Sequence, residues 1–104
     1  MELKIVKIDT AIKVPINFDA FKMYSSEKIE IINLQFKPNQ ELPLHNNPAD
    51  VVFYVISGTG IFLLEDSEIE VCEDSCFEIK SGINRGLINR TDKILKILVI
   101  KKLG

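Results

Sequence analysis

Three polar side chains of this sequence have the chemistry of a functional site: His45, Asn47 and Arg85. His45 is the only histidine, and an imidazole titrates near neutral pH, so it could accept or donate a proton. If His45 and Asn47 lie two apart on one strand, their side chains face the same side. The planar guanidinium of Arg85 suits a carboxylate or a phosphate. These residue types indicate proton transfer at His45, binding of a small anion, or both.

Neither role is fixed by the pattern around these residues. No Ser-His-Asp order and no paired carboxylates accompany His45 in the sequence, so a histidine with a satisfied hydrogen bond and no catalytic role is the alternative. General acid or base catalysis without a metal stays open, and its pH profile would follow one group near the imidazole pKa.

The two cysteines, Cys72 and Cys76, stand four apart around the turn Glu73-Asp74-Ser75. Four residues of extended strand span roughly 13 Å, which is too far for a disulfide, although the turn would shorten this distance. Two cysteines and one distant histidine are too few ligands for a structural zinc site. We therefore expect both cysteines to be small buried hydrophobic residues.

Most of the chain reads as short strands. Ile32, Leu34 and Phe36 recur at period two, and Val51–Ile56 is β-branched and aromatic, which predicts a strand buried on both faces. A β-like arm starts at Leu3 and breaks near Pro15, and no window has a helical apolar stripe. Strands at roughly 8–12-residue spacing predict an all-β sandwich or barrel.

Length and charge limit the possible functions. The 104 residues fit a single domain, 1–104, and are 46% hydrophobic and 27% charged. Thirteen Lys and Arg against fifteen Asp and Glu give a net charge of -2, which argues against nucleic-acid binding. No signal peptide is recognisable, and the longest apolar runs are far shorter than a membrane span, so we expect a cytoplasmic protein with no membrane partner.

We expect the clusters of charged residues to lie on the solvent-exposed surface. Acidic residues gather in the segment 65–74, which we expect to be a solvated hairpin rim. The lysines near the C-terminus, Lys93, Lys96, Lys101 and Lys102, lack interleaved aromatic residues and read as ordinary surface charge.

Two segments resemble the cupin family. The stretch LPLHNNPADVVFYVISGTG, ending around Gly58, matches the first cupin motif in length, hydrophobic pattern and closing glycine. KSGINRGLIN matches the second motif at Gly82 and Asn89 with its spacing intact. The resemblance is to small single-domain cupins of the cupin 2 conserved-barrel type. It implies a double-stranded β-helix, or jelly-roll barrel, over residues 29–101, preceded by an N-terminal arm and edge strand over 1–28.

The chain departs from the family at its metal-ligand positions. Cupin sites typically use three histidines and one glutamate; the resemblance places these positions at His45, Asn47, Arg85 and Val51. Valine has no donor atom, arginine is a permanent cation, and a lone imidazole holds a transition metal weakly. The family's Pro and Gly positions fall on Lys80 and Asp74. We therefore expect the usual metal site to be absent, with no metal or other cofactor.

The family register implies what stands in place of the metal. Val51 and Phe53 would line the barrel interior, and Arg85 would enter the same cavity. The ligand-binding residues are thus predicted to be His45, Asn47, Phe53 and Arg85, holding a small, anionic ligand in a mostly apolar pocket. In the alternative, Arg85 hydrogen-bonds to its own loop or to a buried acid and only stabilises the barrel.

Two functional classes follow. One is a metal-free, small-molecule-binding cupin; the other is a cupin enzyme of the isomerase, epimerase or dioxygenase type acting on a small metabolite or sugar. Glu78 is the nearest further acid, but it alternates with Phe77 and Ile79 and should face solvent.

We also expect a homodimer. Val51–Ile56 and Ile94–Ile100 carry apolar residues on both faces, and one small barrel cannot cover both. The resemblance implies dimers formed by sheet packing and exchange of an N-terminal arm, a role that Leu3–Ile8 suits. The alternative is a monomer whose arm covers its own sheet.

Overall fold

The computed structural model describes residues 2–104, which form two antiparallel sheets and no helix. Met1, the first residue of the predicted arm, lies outside the described residues. The strands are β1 (Ile12–Lys13), β2 (Asp19–Ser25), β3 (Ile29–Phe36), β4 (Glu41–His45), β5 (Asp50–Ser57), β6 (Thr59–Leu64), β7 (Glu68–Cys72), β8 (Cys76–Ile79), β9 (Arg85–Ile88) and β10 (Leu95–Lys102). In the described part of the chain, no helix is long and apolar enough to cross a membrane.

The two sheets face each other as the layers of a jelly-roll barrel. One has six strands in the order β1-β2-β3-β10-β5-β8, and the other has four in the order β4-β9-β6-β7. Every pair of neighbouring strands is antiparallel. This confirms the all-β double-stranded β-helix that the sequence predicted.

The six-stranded sheet supplies most of the core. On β3, Ile32, Leu34 and Phe36 are buried and alternate with half-buried residues, as their period of two predicted. Elsewhere in the core, Phe18 and Phe36 stack with ring centroids 4.4 Å apart, and Phe53 stacks on Phe77 at 5.1 Å. These rings pack the barrel beside the cavity described below.

Within a single chain, β5 is buried on one face and not on both as predicted. Val51, Val55 and Phe53 point inward and are buried, while Tyr54 and Ile56 are 37% and 38% exposed. The apolar residues on the second face belong to the outer surface of the six-stranded sheet, and nothing in residues 2–104 covers this surface fully.

The cysteines also differ from the prediction, since Cys72 and Cys76 are both exposed free thiols. They end β7 and begin β8, which are edge strands of the two sheets. The inner positions beside them are taken by Val71 and Phe77, so the period of two turns each cysteine outward.

At two turns, the structure requires the residue type that the sequence has there. Gly58, between β5 and β6, has φ of +90°, and a Cβ there would lie 2.7 Å from the carbonyl oxygen of Ile94. Asn89, after β9, is fully buried and donates from Nδ2 to the carbonyls of Phe36 (2.9 Å) and Lys93 (2.7 Å). Its Oδ1 accepts from the backbone and hydroxyl of Thr91, so the side chain fixes the turn into β10.

The N-terminal segment differs from the predicted β-like arm. The first strand is only Ile12–Lys13, and residues 2–11 pair with no strand of the described chain. Leu3 and Ile5 are 73% and 70% exposed. Their alternating pattern favours an extended backbone, but a strand forms only where another strand accepts its hydrogen bonds.

Candidate ligand-binding cavity

A cavity of about 200 Å³ lies between the two sheets. Its lining divides by sheet: the six-stranded sheet and the segment leading into β2 supply apolar residues and one lysine, and the four-stranded sheet and its loops supply the other polar groups. The lining residues are Val14, Ile16, Phe18, Ala20, Ile32, Leu34, Leu42, His45, Asn47, Val51, Phe53, Arg85, Val99 and Lys101.

All four residues predicted to bind a ligand line this one cavity: His45, Asn47, Phe53 and Arg85. Val51, in the position of the cupin glutamate, lines it too. The family register therefore locates the cavity correctly, while ligand binding by these residues stays a prediction.

His45 ends β4 directly opposite Arg85, the first residue of β9. Its Nδ1 lies 3.1 Å from the carbonyl oxygen of Pro43. Because a carbonyl only accepts hydrogen bonds, Nδ1 carries the proton in this contact. In neutral imidazole that leaves Nε2 with a lone pair, which accepts a proton or a hydrogen bond.

Asn47 does not share a strand with His45, because β4 ends at His45. Its Oδ1 instead accepts a hydrogen bond of 2.9 Å from the backbone N–H of Ala49, which makes a local Asx turn. Its backbone carbonyl accepts from the N–H of Gly82 at 3.0 Å. The oxygen of the Asn47 side chain is thus engaged, and only its amide N–H groups remain for a ligand.

Arg85 is the most unusual residue of the cavity, because it is a cation with only 1% of its surface exposed. Nη1 donates to the carbonyl of Ile83 at 2.8 Å and, at 3.5 Å, to that of Lys80. Nη2 is buried and has no hydrogen-bond partner in residues 2–104. Burial lowers the pKa of Arg85 from its ordinary value, but a guanidinium remains charged at neutral pH.

No acid compensates this charge. None of the ion pairs of the described chain includes Arg85. A buried charge without a counter-ion is costly, which makes the site attractive to an anion. The loop hydrogen bonds of the alternative interpretation are present at Nη1, whereas the buried acid of that interpretation is not found.

The cavity has a second cation that the sequence analysis took for surface charge. Lys101, on β10, lines the cavity, and its Nζ lies 3.7 Å from Oε1 of Glu30. The other oxygen of Glu30 lies 3.5 Å from Nζ of Lys22. The alternation of β10 through the buried Val99 is a signal that would have placed Lys101 inward. Lys101 has a counter-ion, and Arg85 has none.

The loop of residues 80–84 holds the guanidinium in place, and it is itself held by residues the sequence analysis missed. Asn46 donates from Nδ2 to the carbonyl of Gly82 at 2.8 Å, and Asp50 accepts from the N–H of Ser81 at 2.8 Å. This backbone hydrogen bond is the main cause that lowers the pKa of Asp50. These contacts join residues more than thirty positions apart, and a single sequence contains no pattern that indicates such contacts.

Gly86 lets β4 and β9 approach closely beside Arg85. A Cβ at this position would lie 2.5 Å from the carbonyl oxygen of Leu42 and 3.0 Å from the backbone nitrogen of Leu44. Because both obstacles are backbone atoms, no larger residue fits without moving β4. The glycine therefore keeps His45 next to Arg85.

A jelly-roll of two antiparallel sheets with a cavity between them defines a β-barrel protein. The family model of the Cupin domain matches residues 33–101, more than half of the chain. The chain belongs to the cupin family.

Solved structures agree with this assignment. The polyketide cyclase RemF from Streptomyces resistomycificus superposes with a TM-score of 0.86 at 16% identity, over 99% of this chain and 81% of RemF. An RmlC-like cupin from Desulfovibrio desulfuricans gives 0.75 at 26% identity, over 83% and 82% of the two chains. An RmlC-like cupin from Shewanella frigidimarina gives 0.85 at 10% identity, over 99% and 93%. No curated protein matches the chain in sequence.

The cavity does not fit the metal of other cupins. Among residues 2–104 no three His, Cys, Asp or Glu side chains come together as metal ligands. Val51 offers no donor, and the buried guanidinium of Arg85 repels a cation from the same space. His45 is the one strong metal donor in the lining.

Proposed function

We propose that the protein binds a small anionic molecule in its barrel cavity, with Arg85 in place of a metal as the source of positive charge. One observation carries the proposal: Arg85 is buried and lacks a carboxylate partner, and its Nη2 lacks any hydrogen bond in the described chain. A bound anion would supply the missing counter-charge.

The guanidinium need not be open to solvent to act on a ligand. At an effective dielectric constant of ~20, two unit charges ~6 Å apart attract each other by about 3 kcal/mol. The apolar lining keeps water from screening this attraction. His45 adds an N–H donor on the same side of the cavity when its imidazole is protonated.

Anion binding is tested by titrating sodium salts against the purified protein and following backbone amide NMR shifts and the thermal midpoint. The probes are acetate, benzoate and inorganic phosphate, with sodium chloride as the salt control. We expect at least one of these anions to bind saturably to the wild type and Arg85→Met to lose that binding.

Arg90→Met is the matched control, because Arg90 is the only other arginine and is exposed, in a bidentate pair with Glu68 at 2.8 and 2.9 Å. It should bind as the wild type does. Equal binding by Arg85→Met and wild type, or binding of no anion at all, would overturn the proposal. So would a stoichiometric metal on His45, measured by elemental analysis of protein purified without chelator.

A second candidate, a cupin enzyme of the isomerase or epimerase type, is favoured by the geometry of His45. The contact of Nδ1 with Pro43 fixes the tautomer and leaves Nε2 as a base beside a cation. The other titratable residues of the described lining are Arg85 and Lys101, so a second acid or base at neutral pH is lacking. Glu78 is exposed and pairs with Lys102 at 2.6 Å.

His45→Gln separates the two candidates. It should keep Arg85-dependent anion binding if the protein is a binding module. Catalysis requires that the wild type turns over a bound compound and that this variant does not.

We further propose a homodimer built on the outer face of the six-stranded sheet. Val52, Tyr54 and Ile56 on β5 adjoin Leu98 and Ile100 on β10 in this face. The exposed residues of the N-terminal segment suit a second copy better than solvent. Light scattering after size exclusion at micromolar concentration should give a dimer, which Leu98→Lys disrupts; a monomeric wild type would contradict this proposal.

A further inference from the structure

The charges and the shape of the cavity restrict which anion fits. The inference rests on the proposed anion binding and names the class of ligand. From the division of the cavity into an apolar wall and a polar wall, we propose that the ligand is a compact monocarboxylate with an unsubstituted hydrocarbon body, either branched or aromatic.

The charge of the lining sets the ligand charge at minus one. Arg85 is the one cation of the described lining that lacks a counter-ion, since Lys101 already faces Glu30. No Asp or Glu lines the cavity. A monoanion therefore pairs with the one lining cation that has no counter-ion in the described chain, whereas the second charge of a dianion finds no further unpaired cation in that lining.

The apolar wall sets the chemistry of the body. Ile32 and Leu34 of β3, Phe53 of β5 and Val99 of β10 line this side of the cavity. These residues are 5–6% exposed and carry no side-chain donor or acceptor. Hydroxyl groups on a ligand would lose their water here without replacement, at a cost for each group. A sugar or sugar phosphate is thus disfavoured, and a hydrocarbon body gains from burial.

The volume sets the size. A ring or a short branched chain suits a cavity of about 200 Å³. The cavity lies below the ~300–1,000 Å³ typical of drug-sized ligands.

The carboxylate meets Arg85 on the polar wall. Arg85 and His45 stand opposite each other across β4 and β9, so a carboxylate beside them neutralises the guanidinium. The amide N–H groups of Asn47 border the same cavity. Leu42 keeps the rest of this wall apolar.

The test compares four probes on the same protein by NMR titration: benzoate, its neutral isostere benzamide, 4-methylpentanoate and inorganic phosphate. We expect saturable binding of benzoate and 4-methylpentanoate, and at least tenfold weaker binding of benzamide and phosphate, since each charged hydrogen bond is worth about a factor of ten or more. Arg85→Met should weaken benzoate binding at least about tenfold, and Arg90→Met should leave it within about twofold.

Val99→Met probes the apolar wall without touching the polar groups. The longer side chain reduces the room for the body, so we expect weaker binding of benzoate than in the wild type, and equal binding would contradict the place of the body. This variant keeps Arg85, and its fold is checked by the dispersion of its amide spectrum.

The possible failures are distinguishable. If phosphate binds with dependence on Arg85 and the two monocarboxylates do not, the ligand class is wrong while anion binding stands. Equal binding of benzamide and benzoate would remove the role of the charge. Binding of no anion would overturn both this inference and the proposed function.

Discussion

Replacing Arg85 by methionine should make the ligand-free protein more stable. The substitution keeps an unbranched, shorter apolar chain in the core and removes a cation that has no carboxylate partner in the described chain. A residue that serves only the barrel would behave in the opposite way, because its loss would leave a defect in the packing or in the hydrogen bonding.

The magnitude follows from two opposing contributions. The burial of an ion costs several kcal/mol even after the protein has relaxed around it. Against this, the contact of Nη1 with the carbonyl of Ile83 at 2.8 Å is a hydrogen bond to a charged group, worth about 1.5–3 kcal/mol. Ile83 and Lys80 are exposed residues of the 80–84 loop, so water replaces the lost donor at their carbonyls. The variant should therefore gain about 1–2 kcal/mol in free energy of unfolding.

Thermal and urea unfolding followed by circular dichroism measure this gain. For a domain of about 100 residues, 1 kcal/mol corresponds to a change in midpoint of ~4–8 °C, so Arg85→Met should melt at least about 4 °C above the wild type. Arg90→Met removes an exposed ion pair and should change the stability by less than about 1 kcal/mol. A lower midpoint for Arg85→Met than for both wild type and Arg90→Met would show that Arg85 is structural, and would refute the reasoning.

Three further predictions follow from side chains outside the cavity. Asn89→Ala should cost about 1–3 kcal/mol in urea unfolding, because it removes the side-chain donor to the buried carbonyl of Phe36; a cost below 1 kcal/mol would contradict this. The pKa of Asp50 is lowered from 3.8, so its stabilisation is present above that pH and is lost as the pH falls through the lower folded value; Asp50→Asn should flatten the acid limb of stability against pH, and an unchanged limb would contradict the assignment. The hydrogen bond from Tyr54 to Asp74 raises the pKa of Tyr54 above 10, so in a Tyr24→Phe background the ultraviolet titration should move to lower pH on Asp74→Asn.

The barrel was predictable because a strand buried on one face repeats every two residues. Ile32, Leu34 and Phe36 show this period in the sequence. The cupin spacing around His45 and Arg85 predicted that both residues lie in one cavity. Such signals are local, or they are carried by a fixed distance along the chain.

What the sequence did not predict depends on contacts between distant strands. The absence of a counter-ion at Arg85 and its presence at Lys101 follow from the positions of β3 and β10 and from no motif. The exposure of Cys72 and Cys76 depends on which strands form the sheet edges, and a cysteine in an apolar run gives no sign of that. The hydrogen bond from Asn46 to the 80–84 loop joins two residues that are 36 positions apart in the sequence.

The two walls of the cavity belong to different sheets, and this separation bears on how the barrel can change. In the proposed complex, substitutions at 45, 47 and 85 would change the polar groups near the carboxylate, while those at 32, 34 and 99 would change the space for the hydrocarbon body. No backbone ladder joins the two sheets in residues 2–104, so neither set is connected to the other by hydrogen bonds between strands. The preference for the charged end and the preference for the hydrocarbon end of such a ligand could then be redesigned separately, each on its own side of an unchanged scaffold.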